Sequence, residues 1–226
     1  MVRIDDDRRR RFSHRLRRWF LRHGRDLPWR RTRDPYRVLV SELMLQQTQV
    51  SRVIPFYESW IARFPTLAAV AEARPSQVRE QWEGLGYYAR ARNLHALAKE
   101  ISGNGGELSA EPEALRRLPG IGPYTAGAVA SFAFERSAPL VDTNVARVLR
   151  RAFAPRLRPK SSAGRHKLWT IAESLLPRTG GTAWTHNQAL MELGALVCTP
   201  RAPKCAKCPV RSDCRTGTGR PLTGTR

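Results

Sequence analysis

A glycine-rich segment, residues 118–125, combines residue types that could hold a phosphate group. Gly120 and Gly122 flank one apolar residue, after a proline and before an apolar helical pattern. Glycines at this spacing let the backbone turn tightly and approach a ligand closely, so that amides between two short helices can face a phosphate. The segment indicates a hairpin between helices that binds DNA. The alternative is a Gly-Pro loop that only joins two core helices.

The four cysteines all lie in one segment near the carboxyl end of the chain, with the spacing Cys198-x6-Cys205-x2-Cys208-x5-Cys214. Disulfides here would only cross-link the loop to itself, which favours a metal centre. Four thiolates suit a tetrahedral sulfur site or a cubane, and ligand chemistry alone leaves zinc and [4Fe–4S] both open. Basic residues alternate with the cysteines and would either contact a DNA backbone or form a solvated face: Arg201, Lys204, Lys207, Arg211 and Arg215.

The chain as a whole is strongly basic. Its 226 residues include 40 Lys+Arg against 19 Asp+Glu, for a formal net charge of +21. A polyanion would release counterions on binding such a surface, so nucleic acid is the expected partner. An arginine-rich composition is the alternative explanation, and basicity also suits ribosomal and membrane-surface proteins.

The apolar pattern excludes two classes of protein. No run approaches the ~20 residues of a membrane span. The first residues carry acidic side chains and arginines without the apolar region of a secretion signal. We therefore expect a soluble protein of the reducing cytoplasm. We also expect it to associate with the nucleoid and to be a monomer.

Helical periodicity recurs along most of the chain, and no alternation typical of strands persists. The fold class is therefore predicted to be all-α. A basic amphipathic helix is expected from Asp7 to Gly24, and a second helical pattern runs through Val38 and Met44. Further helices are predicted at 51–63, 75–83, 88–102, 111–117, 123–135, 142–153, 164–176 and 184–196. Residues 216–226, rich in Gly, Thr and Arg, are predicted to be a disordered tail.

Together the motifs resemble the helix-hairpin-helix (HhH-GPD) DNA glycosylase superfamily, in particular the members that carry a [4Fe–4S] cluster. The cysteine spacing, the Leu-Pro-Gly-x-Gly hairpin and the Val-Asp-x-Asn sequence at 141–144 carry this resemblance. Four more segments are similar to the catalytic domain of adenine DNA glycosylases, the MutY group: 27–30, 41–50, 84–94 and 187–195.

The resemblance implies a two-lobed helix-hairpin-helix DNA glycosylase fold with a [4Fe–4S] cluster loop and a DNA-binding cleft between the lobes. A six-helix barrel with the hairpin would span 27–134, and residues 1–26 and 135–215 would form the cluster lobe. A typical MutY continues into a C-terminal 8-oxoguanine recognition domain, which is not expected in this chain of 226 residues. This difference brings thymine-mismatch glycosylases of the same superfamily into consideration.

Cleavage of an N-glycosidic bond needs an anion beside the sugar and a proton source at the departing base. The resemblance assigns the sugar to Asp142, as an electrostatic stabiliser or transient nucleophile, and the alternative role of Asp142 is a helix N-cap. It assigns the base to Glu42, whose burial on an apolar helix would raise its pKa and let it protonate adenine N7. A structural glutamate in a salt bridge is the alternative.

Position 124 separates two kinds of chemistry. Lyase members of the superfamily carry a Schiff-base lysine two residues after the second hairpin glycine, where this chain has Tyr124, and a phenol forms no imine. The sequence therefore predicts base excision without β-elimination. Tyr124 would orient Asp142 or the sugar, or simply pack against the hairpin, and Asn144 would hold Glu42 or a water molecule.

The substrate base must leave the duplex before it can react. By resemblance, Gln47 and Tyr88 would enter the helix or contact the opposite base, and Arg30 and Gln188 would line the base pocket. Tyr87 and Tyr88 could instead belong to the barrel core. The predicted function is a monofunctional mismatch-specific DNA glycosylase of base excision repair that removes adenine opposite 8-oxoguanine or guanine. The alternatives are a thymine or uracil glycosylase acting on T·G and U·G mismatches, and a non-catalytic iron–sulfur DNA-binding protein.

Overall fold

The computed structural model describes residues 4–219, and every regular element in that range is helical. This confirms the predicted all-α class. The α-helices are α1 (Asp6–His23), α2 (Pro35–Leu45), α3 (Val50–Arg63), α4 (Leu67–Glu72), α5 (Pro75–Gln81), α6 (Ala89–Gly103), α7 (Pro112–Leu115), α8 (Pro123–Phe132), α9 (Thr143–Phe153), α10 (Ser162–Leu175) and α11 (Gly180–Leu196). Short 3₁₀ turns lie at Pro28–Arg30, Cys205–Lys207 and Arg211–Asp213.

Helix α4 lies where the sequence patterns predict no helix. Its N-cap is Thr66, whose hydroxyl accepts a hydrogen bond from the Ala69 amide at 3.2 Å. Leu67 and Val70 are buried, and α4 packs against α6. Six residues are too few to show a helical period, so tertiary packing stabilises this helix more than local sequence does.

The chain divides into two compact units. We call residues 26–136 the hairpin unit, because they include the glycine-rich segment. We call residues 4–25 together with 137–219 the cysteine-loop unit. The hairpin unit contains α2 to α8, and the cysteine-loop unit contains α1 and α9 to α11.

The hairpin unit is built around the almost fully buried helix α2, which packs against α3, α6 and α8. Aromatic side chains anchor its core. The Tyr36 hydroxyl donates to the Phe64 carbonyl at 2.7 Å and accepts from Trp60 Nε1 at 2.9 Å. The rings of Trp60 and Trp82 meet edge to face at 5.4 Å. These contacts hold the first turn of α2 in place. Glu42, a candidate catalytic residue, lies near the other end of the same helix.

In the cysteine-loop unit, α11 packs against both α1 and α9, and α10 packs against α9. The Arg8 guanidinium of α1 donates to the carbonyls of Ala152, at 2.7 Å, and Asp213, at 2.9 Å from Nε. Two more arginines of α1, Arg11 and Arg15, form ion pairs with the buried Asp213 carboxylate. The predicted basic helix therefore ties the end of the cysteine loop to the helical core.

Residues 216–219 of the predicted tail are described by the structure, and Thr216 donates its amide to the Arg151 carbonyl at 3.2 Å. The rest of that tail lies outside the described residues. Within 4–219, none of the helices has the length and apolar character needed to cross a membrane.

Candidate active site and cysteine loop

The glycine-rich segment forms the connection between α7 and α8. Gly120 has a positive φ of 76°, and a Cβ there would lie 2.6 Å from Asn93 Nδ2 on α6. Gly122 has a φ of −88°, and a Cβ there would meet no atom within 4 Å. The turn itself therefore requires a glycine at position 120. At position 122 the missing side chain leaves open space at the start of α8, where a ligand could approach the backbone.

Glu42 and Tyr124 form a hydrogen-bonded pair inside the hairpin unit. Glu42 is 3% exposed on α2, among the buried residues Leu39, Leu43 and Met44. The Tyr124 hydroxyl, on the first turn of α8, donates to Glu42 Oε2 at 2.7 Å. A buried carboxyl with a fixed hydroxyl partner is held in one orientation. The sequence predicts that Tyr124 orients Asp142 or the sugar, or packs against the hairpin, so its contact with Glu42 is a finding of the structure.

Asp142 is the N-cap of α9 in the cysteine-loop unit. Its Oδ1 accepts from the Val145 amide at 2.6 Å, and its Oδ2 accepts from Asn144 Nδ2 at 3.0 Å. Burial raises the pKa of Asp142 above its ordinary value and outweighs these hydrogen bonds, which act in the opposite direction. The capping role considered as the alternative is therefore present, together with a carboxyl set in a desolvated environment.

A hydrogen-bond chain links Asp142 to the cysteine loop. The Oδ1 atom of Asn144 accepts from Arg147 Nη2 at 2.7 Å, and Arg147 Nε donates to the Cys198 carbonyl at 2.7 Å. Arg147 Nη2 also donates to the Gly194 carbonyl at 2.7 Å. A Cβ at Gly194 would lie 2.7 Å from Asn144 Cβ, so a glycine there lets α11 approach α9 closely enough for this chain to form.

Asn144 is predicted to hold Glu42 or a water molecule, whereas in the structure its amide joins Asp142 to Arg147. Arg147 itself was missed. The available signal was its position three residues after Asn144 on one helix, a spacing that places two side chains on the same face.

The cysteine loop follows α11 and contains all four cysteines. All four cysteines are free and half-buried, and the charges of Cys198, Cys205 and Cys214 all act on Cys208. Burial raises the pKa of the Cys208 thiol to about 11. Two N–H groups point at sulfur: Arg151 Nη1 lies 3.4 Å from Cys198 Sγ, and the Gly217 amide lies 3.3 Å from Cys214 Sγ.

This donor set fits a sulfur-ligated centre. Binding of metal deprotonates thiols of raised pKa, and N–H donors to sulfur stabilise the resulting thiolates. In residues 4–219 no group of three or more His, Cys, Asp or Glu side chains lies close enough to hold a single metal ion. The five cations predicted to alternate with the cysteines are exposed or half-buried around the loop: Arg201, Lys204, Lys207, Arg211 and Arg215.

The remaining predicted contact residues occupy different environments. Arg30 is half-buried in the 3₁₀ turn before α2, and Gln188 is 5% exposed on α11. Gln47 is exposed, with a φ of 58°. Tyr88 is half-buried at the start of α6, and the Arg79 guanidinium lies 5.7 Å from its ring centroid.

Tyr87 is the more exposed tyrosine of the pair, at 58%, and it has a φ of 47°. Stacking is predicted for Tyr88, and a place in the barrel core is the alternative for both tyrosines. Tyr87 is not part of the core. Its position after Gly84 and Gly86 was the available signal, because glycines at this spacing favour a turn that can expose the following side chain.

Comparison with known proteins places these features in a family. The family model described as "HhH-GPD superfamily base excision DNA repair protein" matches residues 40–174. The adenine DNA glycosylase of Homo sapiens is 46% identical over 208 residues, which cover 87% of this chain and 38% of the human protein. That of Mycolicibacterium smegmatis is 47% identical over 199 residues, which cover 87% of this chain and 66% of that protein. The chain thus spans only part of the length of these relatives.

Solved structures give the same result for the fold. A thermostable thymine-DNA glycosylase superposes with a TM-score of 0.85 at 31% identity, covering 95% of this chain and 99% of that one. Endonuclease III in a non-covalent complex with DNA superposes with a TM-score of 0.78 at 23% identity, which shows the fold alone. The family match and this fold agree with the helical hairpin described above. The chain belongs to the HhH-GPD superfamily of base excision DNA repair proteins.

Proposed function

We propose that this protein is a monofunctional DNA glycosylase that removes adenine opposite 8-oxoguanine or guanine in double-stranded DNA. The observation that carries the proposal is the buried Glu42 carboxyl, which accepts a hydrogen bond from the Tyr124 hydroxyl. Tyr124 stands at the position where a lyase would need a lysine. Sequence identities of 46% and 47% to adenine DNA glycosylases support adenine as the excised base.

Glu42 is the proton donor for the departing base in this proposal. A base leaves the sugar more readily when one of its nitrogens is protonated, because the leaving group is then neutral. Glu42 lies among apolar side chains, where a neutral carboxyl costs less than a charged one. The Tyr124 hydroxyl donates a hydrogen bond to Glu42 Oε2 and so fixes the orientation of the carboxyl.

Asp142 acts on the sugar. Positive charge develops at C1′ as the bond breaks, and an ionised carboxyl stabilises it or adds to it transiently before water does. The Val145 amide and the Asn144 side chain hold the carboxyl in place. Water finally supplies the hydroxyl at C1′, and its remaining proton replaces the one that Glu42 gave to the base. The base leaves with the proton from Glu42, and the product is an abasic site.

Tyr124 makes the excision monofunctional. Opening of the sugar by β-elimination proceeds through an imine between an enzyme amine and C1′, and a phenol forms none. We therefore expect strand breaks only after alkali treatment. Sodium borohydride, which traps an imine by reduction, is expected to leave no covalent protein–DNA product.

The basic surface and the hairpin bind the DNA backbone in this proposal. A net charge of +21 favours association with a polyanion, with an affinity that falls steeply as salt rises. Gly122 leaves room for a phosphate at the start of α8. Gln47, Tyr87 and Tyr88, together with Arg30 and Gln188, contact the bases.

The four cysteines are proposed to hold a [4Fe–4S] cluster, which serves to organise the loop. Such clusters bind four cysteine thiolates, and the free, electrostatically coupled thiols here supply that set. A reducing cytoplasm would keep them available. We expect iron, acid-labile sulfide and a broad absorbance near ~400 nm. A colourless protein loaded with zinc would contradict the cluster and leave the glycosylase proposal standing.

The decisive experiment uses the complete chain and four duplexes, with A opposite 8-oxoguanine, A·G, T·G and U·G. Each is incubated with protein and then treated with alkali, and a parallel sample omits the alkali. Asp142→Asn is the matched control, because asparagine still caps a helix. Cleavage of the adenine duplexes by the unmodified protein supports the proposal.

Two other outcomes would replace it. Cleavage confined to T·G and U·G would assign thymine or uracil as the excised base. Binding of all four duplexes without any cleavage would indicate a non-catalytic DNA-binding protein.

A further inference from the structure

Three exposed residues of the hairpin unit other than glycine have a positive φ, Gln47, Tyr87 and Glu135, and the first two share one buried partner. Gln47 has a φ of 58° and Tyr87 a φ of 47°, values that residues other than glycine rarely adopt. Tyr87 is 58% exposed, so burial of its ring does not stabilise this conformation. Strained residues persist only where their surroundings hold them, and they concentrate at ligand-binding sites.

One buried guanidinium holds both backbones. Arg90, on α6, is 7% exposed. Its Nη1 donates to the Gln46 carbonyl at 2.7 Å, directly before Gln47. Its Nη2 donates to the Gly86 carbonyl at 3.0 Å, directly before Tyr87. Arg90 therefore connects two loops that are about 40 residues apart in the sequence.

The same guanidinium holds the end of α2. Arg90 Nη1 also donates to the carbonyls of Leu43, at 2.9 Å, and Met44, at 2.7 Å, the two residues that follow Glu42. The guanidinium carbon lies 5.3 Å from the centroid of the Trp82 ring and 5.4 Å from that of Tyr87. The donors of Arg90 serve backbone carbonyls and the Thr48 hydroxyl.

A pocket of about 470 Å³ adjoins the two loops, and its lining includes Gln47, Tyr87, Tyr88, Arg92 and Asn93. This volume lies within the range of small-molecule sites, so it can receive a flat group such as a base. The two exposed side chains and the pocket together form a surface suited to a disturbed base pair.

We propose that Arg90 is a positioning residue that holds Gln47 and Tyr87 as one rigid pair, so that they occupy the base stack when the substrate base leaves it. This inference rests on the proposed glycosylase function. A planar guanidinium with five donors in a fixed geometry can hold several carbonyls at once, whereas an ammonium group cannot reproduce that geometry.

The test compares Arg90→Lys with Arg63→Lys, an exposed control in the same unit whose guanidinium lies 5.6 Å from the Phe64 ring centroid. Each variant is assayed in single turnover on adenine opposite 8-oxoguanine and on adenine opposite a stable abasic analogue. The second adenine has no partner, so its extrusion requires less assistance. For Arg90→Lys we expect a roughly 10- to 100-fold slower rate on the paired adenine and a much smaller loss on the unpaired one. Equal losses on both substrates, or none on either, would overturn the inference.

A double-mutant cycle tests whether Arg90 acts through the two side chains. Arg90→Lys is added to a variant carrying Gln47→Ala and Tyr87→Ala. If Arg90 acts by positioning them, it adds little further loss in that background. If Arg90→Lys instead slows excision by the same factor in both backgrounds, Arg90 acts independently of Gln47 and Tyr87, and the inference is contradicted.

A readout without chemistry separates this inference from the proposed function. 2-Aminopurine placed beside the target adenine brightens when stacking is lost, whether or not a bond is cut. We expect the unmodified protein to brighten it and Arg90→Lys to brighten it less, even if no base is excised. If Arg90→Lys does not fold, Thr48→Val removes one acceptor, which lies 3.2 Å from Arg90 Nη1, and should show a smaller effect of the same direction. An unchanged response in Thr48→Val would then overturn the inference.

Discussion

The two units present their carboxyl groups in opposite ways. Glu42 lies inside a buried helix of the hairpin unit, and the partner shown for it is the Tyr124 hydroxyl. Asp142 lies at a helix N-terminus of the cysteine-loop unit, and the Val145 amide and the Asn144 side chain both donate to it. Amide donors and the positive end of a helix favour the ionised form of Asp142, but burial outweighs them and raises its pKa.

The difference shows how one kind of group can serve two tasks. In the proposed reaction Glu42 gives a proton to the base and Asp142 stabilises positive charge at the sugar, and the Val145 and Asn144 donors hold Asp142 in place for that task. Asp142 is also linked through Asn144 and Arg147 to the carbonyl of Cys198, so its position depends on the order of the cysteine loop. Glu42 depends on the packing of α2 against α8.

The largest expected effect is the loss of either carboxyl. Glu42→Gln still accepts the Tyr124 hydroxyl, and Asp142→Asn still caps α9, so both variants should fold. We expect excision of adenine to slow by about 10²- to 10⁴-fold in each. Single-turnover rates with thermal melting as the folding control measure this. If Asp142→Asn kept full turnover, the role of Asp142 at the sugar would be contradicted, and with it the comparison of the two carboxyls.

A smaller loss is expected when the link to the cysteine loop is cut. Arg147→Met removes the donors to Asn144, Gly194 and Cys198, so we expect activity to fall about 10- to 100-fold, as for groups that orient a metal's ligands. Iron content should fall with it. Arg150→Met is the control, because the Arg150 guanidinium, on the same helix, donates to the Pro155 carbonyl instead. Equal effects of the two changes would show that Arg147 has no specific role.

Tyr124→Phe should have a modest effect, because it removes one hydrogen bond to Glu42 and keeps the ring. We expect a loss of about 1 kcal/mol in transition-state stabilisation, or roughly fivefold in rate. Tyr36→Phe is the matched control: it also loses a buried hydroxyl, yet the donor role of that hydroxyl is to the Phe64 carbonyl. This control should lower the melting temperature without a comparable loss of activity, and the reverse pattern would contradict the assignment.

The smallest expected effect is a change in stability with pH. Burial raises the pKa of Asp142 in the folded protein above its value in the unfolded chain, so folding favours the protonated form. That contribution to stability is fully present below the unfolded pKa and is lost as the pH rises through the folded pKa. Asp142→Asn should therefore melt at a slightly higher temperature than the unmodified protein at neutral pH and show little difference in acid. A lower melting temperature at neutral pH would show that the carboxylate stabilises the fold.

Much of the fold follows from local sequence. Helical periodicity and the Gly and Pro boundaries predict an all-α chain because these signals are local, and the helix missed, α4, has only six residues. The fate of Tyr87 and Tyr88 could not be predicted in this way. The two tyrosines are neighbours in one turn. Tyr87 has a positive φ and an exposed ring, whereas Tyr88 lies at the start of α6 and is half-buried.

The sequence by itself determined the superfamily, the glycine hairpin, the cysteine spacing and the presence of a phenol at position 124, because each depends on residue type and local order. The tertiary structure alone decided which groups meet. Tyr124 reaches Glu42 across 82 residues, and Arg147 reaches Cys198 across 51. Arg90 gathers carbonyls from two loops. Such contacts depend on how helices pack against one another, and no periodicity in a single segment carries that information.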